Sequence, residues 1–383
     1  MAAKRKLSEA SGVPSSKSIL ANFLNENKED HFNFIKPSET IISSGSLGLD
    51  SLIKIRSGSF VRLCGKGSEL GKTSECFVLA ENYMKVMPNS KTIFIKAEAR
   101  LTPELQKRSG LKFVTDSEDW DIGTVFVLST NTFEKIASFL ENIIPEMYEA
   151  GERLCVILDS LDGLILKSDK DKDLWNGDEN VKVAGVPMLT KILFKRLALK
   201  VVHYDVLFLI TSQYTAEIKL DPYSKTPPRQ SDGSGGSAIN HQSDITLSYQ
   251  SRYGGDFILE KEKEKPDPIK NKTLGVYATV EIKKSTTDVS GQKVRIPIKK
   301  DRVGCAIWVE KELTDMLVAF GMVVKSGAWF SFTENIISLA KQDGVEIKPQ
   351  HQGMNSLYQY IEEDKVAFEW LLKKVKSLIN AFD

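Results

Sequence analysis

Cys64-Gly-Lys-Gly-Ser-Glu-Leu-Gly-Lys-Thr73 lies between a strand-like run, Gly58-Ser-Phe-Val-Arg-Leu63, and a helix-like run, Ser74-Glu-Cys-Phe-Val-Leu-Ala-Glu-Asn-Tyr83. Strand, glycine-rich turn, Gly-Lys-Thr and helix, in that order, is the layout of a phosphate-binding loop. Backbone N–H groups of such a turn, with the positive end of the following helix, surround a polyphosphate. The turn residues Gly65, Gly67, Ser68, Glu69, Leu70, Gly71 and Ser74 are therefore candidate nucleotide contacts. Lys72 can reach the β and γ phosphates, and the Thr73 hydroxyl can ligate Mg²⁺. Lys66 stands where the motif places its first glycine, so Gly65 or Gly67 must serve with a shift of one residue. The plainer alternative is a glycine-rich turn that enters a helix and carries Gly-Lys-Thr by chance.

The 383 residues suffice for two or three domains with a large core. Hydrophobic residues are 41% and charged residues 27%, the balance of a soluble globular chain. A formal charge of +1 places any nucleic-acid site in a local patch, not in an overall basic field. Cys64, Cys76, Cys155 and Cys305 have no metal-type spacing. Three of them sit in apolar runs, which predicts buried thiols in a reducing compartment. The first residues, Met1-Ala-Ala-Lys-Arg-Lys-Leu-Ser, lack the apolar centre of a signal peptide, and no apolar run reaches membrane-spanning length. Lys4-Arg5-Lys6 is a weak targeting pattern. The expected location is cytoplasmic, with no membrane partner.

Apolar runs at Phe60–Cys64, Thr92–Ile95, Thr124–Ser129, Leu154–Leu158 and Val206–Thr211 alternate with helical patterns at 73–86, 102–109, 132–150 and 186–203. This predicts an α/β core with a mostly parallel sheet and helices on both faces. Ligands of such sheets bind beyond the carboxyl ends of the strands. Three chemical candidates stand there. Leu154-Cys-Val-Ile-Leu-Asp159-Ser160 ends in a carboxylate that can hold Mg²⁺; the alternative is a helix cap. Phe94-Ile-Lys-Ala-Glu98 ends in a carboxylate that can orient or deprotonate water; the alternative is a solvated loop residue. Leu207-Phe-Leu-Ile-Thr-Ser-Gln213 ends in an amide that can sense a γ-phosphate, or simply opens a loop.

Residues 214–240 read as a long glycine-rich loop containing Lys225, Arg229, Gly233, Gly235 and Gly236, and long loops beside active sites are usually functional. A second candidate loop spans 167–187 and contains Lys182. Strands return at Ile245–Tyr249 and Phe257–Glu260, and Val276–Lys283 with Val294–Ile298 read as an antiparallel edge. From Gly304 the pattern is a small α/β lobe: helices at 311–320, 334–342 and 362–382, and a hairpin at 325–332. The aromatics Trp308, Trp329, Phe330 and Trp370 are expected in its core. Ahead of the core, Ser18–Asn25 is spaced for a short helix and His31–Ile35 alternates like a strand.

Taken together these segments resemble the RecA-type homologous recombinases from about residue 41 onward. Ser43-Ser-Gly-Ser-Leu-Gly-Leu-Asp50 is similar to the family's opening motif, Ile95-Lys-Ala-Glu98 with Leu101-Thr-Pro103 to its catalytic-glutamate segment, and Leu158-Asp-Ser-Leu-Asp162 to its Walker B strand. Gln213 matches the γ-phosphate sensor, Gly233–Ala238 the end of the second DNA loop, and Val324-Lys-Ser-Gly-Ala-Trp-Phe-Ser-Phe332 the C-terminal signature. Lys66, Lys96, Leu105 and Thr286 depart from the bacterial pattern, and the acidic tail is absent; these departures resemble the phage-encoded UvsX-like branch.

The resemblance implies an ATP-dependent recombinase that forms a helical filament of itself on single-stranded DNA and exchanges strands with homologous duplex DNA. Mg²⁺ and ATP are the implied cofactors, with Lys72, Thr73 and Asp159 around them, Glu98 positioning water and Lys284 reaching the neighbouring subunit's nucleotide. Lys182, Lys225, Arg229, Gly233, Gly235 and Gly236 are the implied DNA contacts. A single-stranded-DNA-binding protein and a loading mediator are further implied partners. The expected organisation is an N-terminal oligomerisation segment at 1–40, an ATPase core at 41–303 and a C-terminal domain at 304–383. A ring helicase or KaiC-like switch, a filament protein that does not hydrolyse ATP, and a small-molecule P-loop kinase remain the alternatives.

Overall fold

A computed structural model describes residues 15–27, 39–65, 71–98, 101–170, 185–216, 230–231, 236–261 and 264–379, with only the backbone of 185–189, 215–216, 230–231 and 236–238. The chain divides into two units, 1–37 and 38–383. In the first, α1 (Ser16–Glu26) begins at Ser15, whose side chain accepts from the Ser18 N–H. Ile19, Leu20 and Phe23 are exposed on it. The strand expected at His31–Ile35 lies outside the described residues.

The second unit opens with β1 (Ile41–Ile42), α2 (Leu47–Asp50) and β2 (Ile55–Arg56), β1 and β2 forming an antiparallel pair. The core then runs β3 (Phe60–Gly65), α3 (Lys72–Val86), β4 (Ser90–Lys96), α4 (Pro103–Ser109), β5 (Lys112–Val114), β6 (Thr124–Leu128), α5 (Phe133–Glu149) and β7 (Arg153–Asp159). It continues through α6 (Lys167–Lys170), α7 (Gly185–His203), β8 (Leu207–Gln213), β9 (Thr215–Ala216), β10 (Gln230–Ser231), α8 (Gly236–Gln242) and β11 (Ile245–Tyr249). Three further strands, β12 (Phe257–Leu259), β13 (Thr273–Lys284) and β14 (Lys293–Lys299), complete a ten-stranded sheet in the order β12-β13-β11-β3-β8-β7-β4-β6-β5, with β14 on β13.

From β11 to β5 every pairing is parallel, and β13 pairs antiparallel with β11, β12 and β14. The architecture is thus a large, mostly parallel sheet with helices on both faces. Strand alternation divides the core cleanly. Val61, Leu63, Cys155, Ile157, Leu207 and Leu209 face one cluster with α3. Their neighbours Phe60, Leu154, Val156, Leu158, Phe208 and Ile210 face a second cluster with α5 and α7. Burying a strand on both faces removes each Leu, Ile or Phe from water, worth roughly 1.5–3 kcal/mol apiece, and this is why these runs are continuously apolar. Cys64, Cys76 and Cys155 are buried free thiols, as their apolar surroundings predict, and Cys305 is half-buried.

Two expectations need correction. The stretch 214–240 is not loop throughout: β9 and β10 pair antiparallel, and α8 begins at Gly236. Likewise the stretch 167–187 contains α6, and Gly185 and Pro187 belong to α7.

The last segment comprises α9 (Val309–Ala319), β15 (Val323–Ser326), β16 (Trp329–Phe332), α10 (Glu334–Gln342), β17 (Gln350–Gln352), α11 (Met354–Glu363) and α12 (Lys365–Leu378). Its three strands form one antiparallel sheet, and Leu313, Leu317, Phe330, Leu357 and Leu371 build a third cluster. Helix α12 starts at Lys365 and not at 362, because Asp364 breaks the run and accepts from the Ala367 N–H at 3.0 Å. Trp308 and Phe330 are buried, but Trp329 is 46% exposed. Alternation along β16 turns Trp329 away from the face that buries Phe330 and Phe332.

Glu312 joins this segment to the core. Its carboxylate accepts from Ser46 Oγ at 2.6 Å and from the N–H groups of Leu47 and Gly48 at 2.9 and 3.0 Å. These are the unsatisfied donors at the start of α2.

Candidate functional site

Four adjacent strands end on one side of the sheet. Gly65 of β3 is opposite Gln213 of β8, and Asp159 of β7 is opposite Lys96 of β4, two residues before Glu98. The first turn of α3 faces the same place. A cleft of about 720 Å³ lies there, and Lys72, Thr73, Glu98, Asp159 and Gln213 all line it. Residues separated by up to 141 positions in sequence (213 − 72) thus share one cavity because parallel βαβ crossovers bring every carboxyl end to one edge.

Gly71 precedes α3 with φ of 102°, a left-handed conformation that glycine enters without a Cβ penalty. This lets the chain turn sharply into the helix and aims the helix N-terminus at the cleft. Gly71, Lys72, Thr73 and Ser74 line it. Of the other sequence-predicted loop residues, Gly65 closes β3, while Gly67, Ser68, Glu69 and Leu70 lie outside the described residues.

Asp159 is held by two hydroxyls. Thr211 Oγ1 donates to Oδ1 at 2.5 Å and Thr73 Oγ1 donates to Oδ2 at 2.9 Å. Burial pushes this carboxyl above its usual range, and the two hydroxyl bonds work against that shift. Burial also lowers the Lys72 ammonium from its ordinary value, while the charges of Asp159, Cys64, Asp162 and Glu98 pull it back. A partly buried ammonium with a helix N-terminus beside it is a donor set suited to a polyanion. The carboxylate–hydroxyl pair, hard oxygen donors beside that site, fits Mg²⁺ with a triphosphate. The donor chemistry therefore fits the implied cofactors.

Glu98 accepts a hydrogen bond from Ser160 Oγ. The backbone N–H groups of Ala97 and Glu98 donate to the Asp159 carbonyl at 2.9 and 3.2 Å, fixing the two carboxylate-bearing strand ends together. The Asp159–Ser160 peptide is cis. A Cβ at Gly163 would lie 2.8 Å from the Ala97 carbonyl oxygen, so this close approach requires glycine. Gln213 is anchored through its backbone: its N–H donates to Asp162 Oδ2 at 2.7 Å. Leu105 lines the same cleft, with Arg108 beside it on α4.

Lys284 does not line the cleft; its Nζ donates to the carbonyls of Asn240 and His241 at 2.9 and 3.0 Å, the end of α8. Gly236 begins α8. Lys182, Lys225, Arg229, Gly233 and Gly235 lie outside the described residues.

Thr211, Asp162 and Ser160 carry out positioning that the sequence alone did not assign to them. All three stand inside the quoted strand ends, but nothing local marks which neighbour they meet. Glu75 and Tyr249 also line the cleft. Glu75 is 4% exposed, and burial together with the charges of Asp50 and Glu312 pushes its carboxyl up to about 8. Among the described residues no helix is long and apolar enough to cross a membrane.

No protein-family profile matches the chain. Individual proteins do. It is 24% identical over 327 residues to Protein RecA of Gluconobacter oxydans, covering 84% of this chain and 82% of that one. Over 334 residues it is 22% identical to Protein RecA of Rickettsia prowazekii, covering 85% and 84%. Protein RecA of Thermus aquaticus is 21% identical over 309 residues, covering 80% and 79%. The chain is thus similar to RecA proteins over about four-fifths of each, and its α/β core is of the RecA type.

Proposed function

We propose that the protein is a DNA-dependent ATPase that forms helical filaments on single-stranded DNA and pairs and exchanges it with homologous duplex DNA. The observation that carries this reading is the convergence of Lys72, Thr73, Asp159, Glu98 and Gln213 on one cleft at the carboxyl ends of adjacent parallel strands. The likeness to RecA proteins over most of the chain supports it. Lys66, Lys96 and Leu105 favour a phage-encoded, UvsX-like branch.

In this reading Mg²⁺-ATP supplies the phosphoanhydride whose cleavage resets the filament. Lys72 and the N-terminal amides of α3 hold the β and γ phosphates, and Thr73 and Asp159 supply the metal ligands. Glu98, positioned by Ser160, orients and deprotonates the attacking water. Gln213 reports the γ-phosphate to the segment that follows β8. That segment, with 167–187, grips DNA phosphates through Lys182, Lys225, Arg229 and the amides of Gly233, Gly235 and Gly236, so affinity falls steeply with salt. Lys284 reaches the nucleotide of the adjoining subunit. Residues 1–40 join subunits, 41–303 form the ATPase core, and 304–383 form a separate lobe.

The test is ATP hydrolysis with and without single-stranded DNA, with Lys72→Ala and Glu98→Gln as controls. Strong stimulation by DNA is expected. Lys72→Ala removes binding and hydrolysis together. Glu98→Gln keeps nucleotide binding and loses hydrolysis by roughly 10²-fold or more. Hydrolysis indifferent to DNA would overturn this reading in favour of another RecA-fold ATPase. ATP-dependent DNA binding without hydrolysis would favour a filament protein alone.

A further inference from the structure

Arg62 stands in the middle of β3, a strand otherwise made of buried apolar residues, and its exposure is 0%. A guanidinium cannot shed its charge in a protein, so burying it costs several kcal/mol unless its donors are met. Two are. Nε donates to Ser212 Oγ at 2.9 Å, and Nη1 donates to Asn240 Oδ1. Nη2 is buried with no hydrogen-bond partner among the described residues. Both partners are neutral, so either can shift without leaving a carboxylate behind.

The partners lie at informative places. Ser212 adjoins Gln213, the amide at the cleft. Asn240 is in α8, the helix that follows the glycine-rich segment, and its carbonyl accepts from Lys284 Nζ. Two residues along the same face of β3, Cys64 Sγ donates to the hydroxyl of Tyr214 at 2.8 Å. One face of β3 therefore holds both residues that flank Gln213, and through Arg62 it holds α8 as well.

We propose that Arg62 is a positioning residue that couples occupancy of the nucleotide cleft at Gln213 to α8 and, through Asn240, to Lys284. The roles of Gln213 and Lys284 come from the function proposed above; the Ser212–Arg62–Asn240 linkage does not. A shift of Gln213 towards a bound phosphate carries Ser212 with it. The guanidinium follows, because losing that bond would leave a second buried donor unmet. Asn240 and the end of α8 then move with it. The unmet Nη2 makes the present arrangement under-satisfied, so a rearrangement that gives it an acceptor is favoured. Coupling of this kind is reciprocal: what is done to α8 returns to the cleft.

The experiment is hydrogen–deuterium exchange of the full chain with and without the slowly hydrolysed analogue ATPγS, in the absence of DNA. It compares the parent with Arg62→Met, Arg62→Lys and Asn240→Leu, and fluorescent-nucleotide titration measures affinity in each. In the parent, nucleotide changes exchange in 236–242 at least threefold. In Arg62→Met and Asn240→Leu that response disappears while nucleotide affinity stays within about threefold, and Arg62→Lys recovers part of it. An undiminished response in both Arg62→Met and Asn240→Leu, or no response in the parent, overturns the proposal. Should Arg62→Met fail to fold, Arg62→Lys and Asn240→Leu decide the matter. DNA stimulation of hydrolysis is assayed separately. Its absence beside an intact, Arg62-dependent response would overturn the recombinase reading and leave this coupling standing.

Discussion

Thr211 Oγ1 donates to Asp159 Oδ1 at 2.5 Å, from the strand next to the one that carries the carboxylate. The bond sets the orientation of Asp159 and leaves Oδ2 to the Thr73 hydroxyl. A metal-ligating carboxylate owes its affinity to such outer partners as much as to its own charge. Thr211→Val keeps the shape and removes the donor. The Mg²⁺ concentration for half-maximal hydrolysis is expected to rise by roughly tenfold, within the range for a lost outer partner. A Mg²⁺ titration of ATPase activity measures it, and an unchanged midpoint would show that Thr73 alone orients Asp159.

Glu312 sets a pH dependence of stability. Burial pushes its carboxyl up to about 7, against the hydrogen bonds from Ser46, Gly48 and Leu47, and Asp50 adds to the rise. A carboxyl whose folded pKa exceeds its unfolded value of about 4.3 keeps its proton longer when folded. Between those values the folded state binds more protons, so its stability falls as pH rises from about 4.3 to about 7 and then levels. Urea unfolding of the parent from pH 5 to pH 8 should show that decline. In Glu312→Gln the decline should be shallower, and equal slopes would assign it to other groups.

The same residue also ties the last segment to α2. Glu312→Leu leaves the Ser46 hydroxyl and the N–H groups of Leu47 and Gly48 without their acceptor. Each unmet buried donor costs about 1–3 kcal/mol. A loss of about 3 kcal/mol or more is expected in chemical denaturation. Separation of one transition into two would locate the loss at this junction.

Phe23 is half exposed on α1, next to Ile19 and Leu20. If residues 1–40 join subunits, this apolar stripe is the contact, and truncating a half-buried-on-docking Phe should weaken each junction by about 1–3 kcal/mol. Phe23→Ala should therefore shorten ATP-bound assemblies on single-stranded DNA in sedimentation. Unchanged sedimentation would place the subunit contact elsewhere.

Local patterns made much of the core legible. The apolar runs at 60–64, 92–95, 124–129, 154–158 and 206–211 coincide with β3, β4, β6, β7 and β8 to within two residues, because strands covered on both faces are predominantly apolar. Arg62 is the one charged residue inside these runs, and nothing in its immediate sequence shows which partners it meets. Less visible was β5, three residues long, and α11, whose amphipathic turn adjoins α12 across Asp364. The helix at Gly236 was hidden by its glycines, which read locally as loop; the backbone bonds of α8 and its packing on α7 outweigh that preference.

By itself the sequence determined the alternation of strand and helix, the turn at Gly71 into α3, and which residues end the strands in oxygen or amide groups. Those are properties of neighbouring residues, set by side-chain period and backbone freedom. The tertiary structure decided the strand order, and with it every long-range meeting: β11 inserted beside β3 and parallel to it, Thr211 on Asp159, Ser160 on Glu98, Asp162 on Gln213, and Arg62 between Ser212 and Asn240. Strand pairing is chosen by the joint burial of two sheet faces and by ladder hydrogen bonds between segments far apart in the chain. No single segment carries that information, so the residues that line the cleft could be quoted from the sequence while their partners could not.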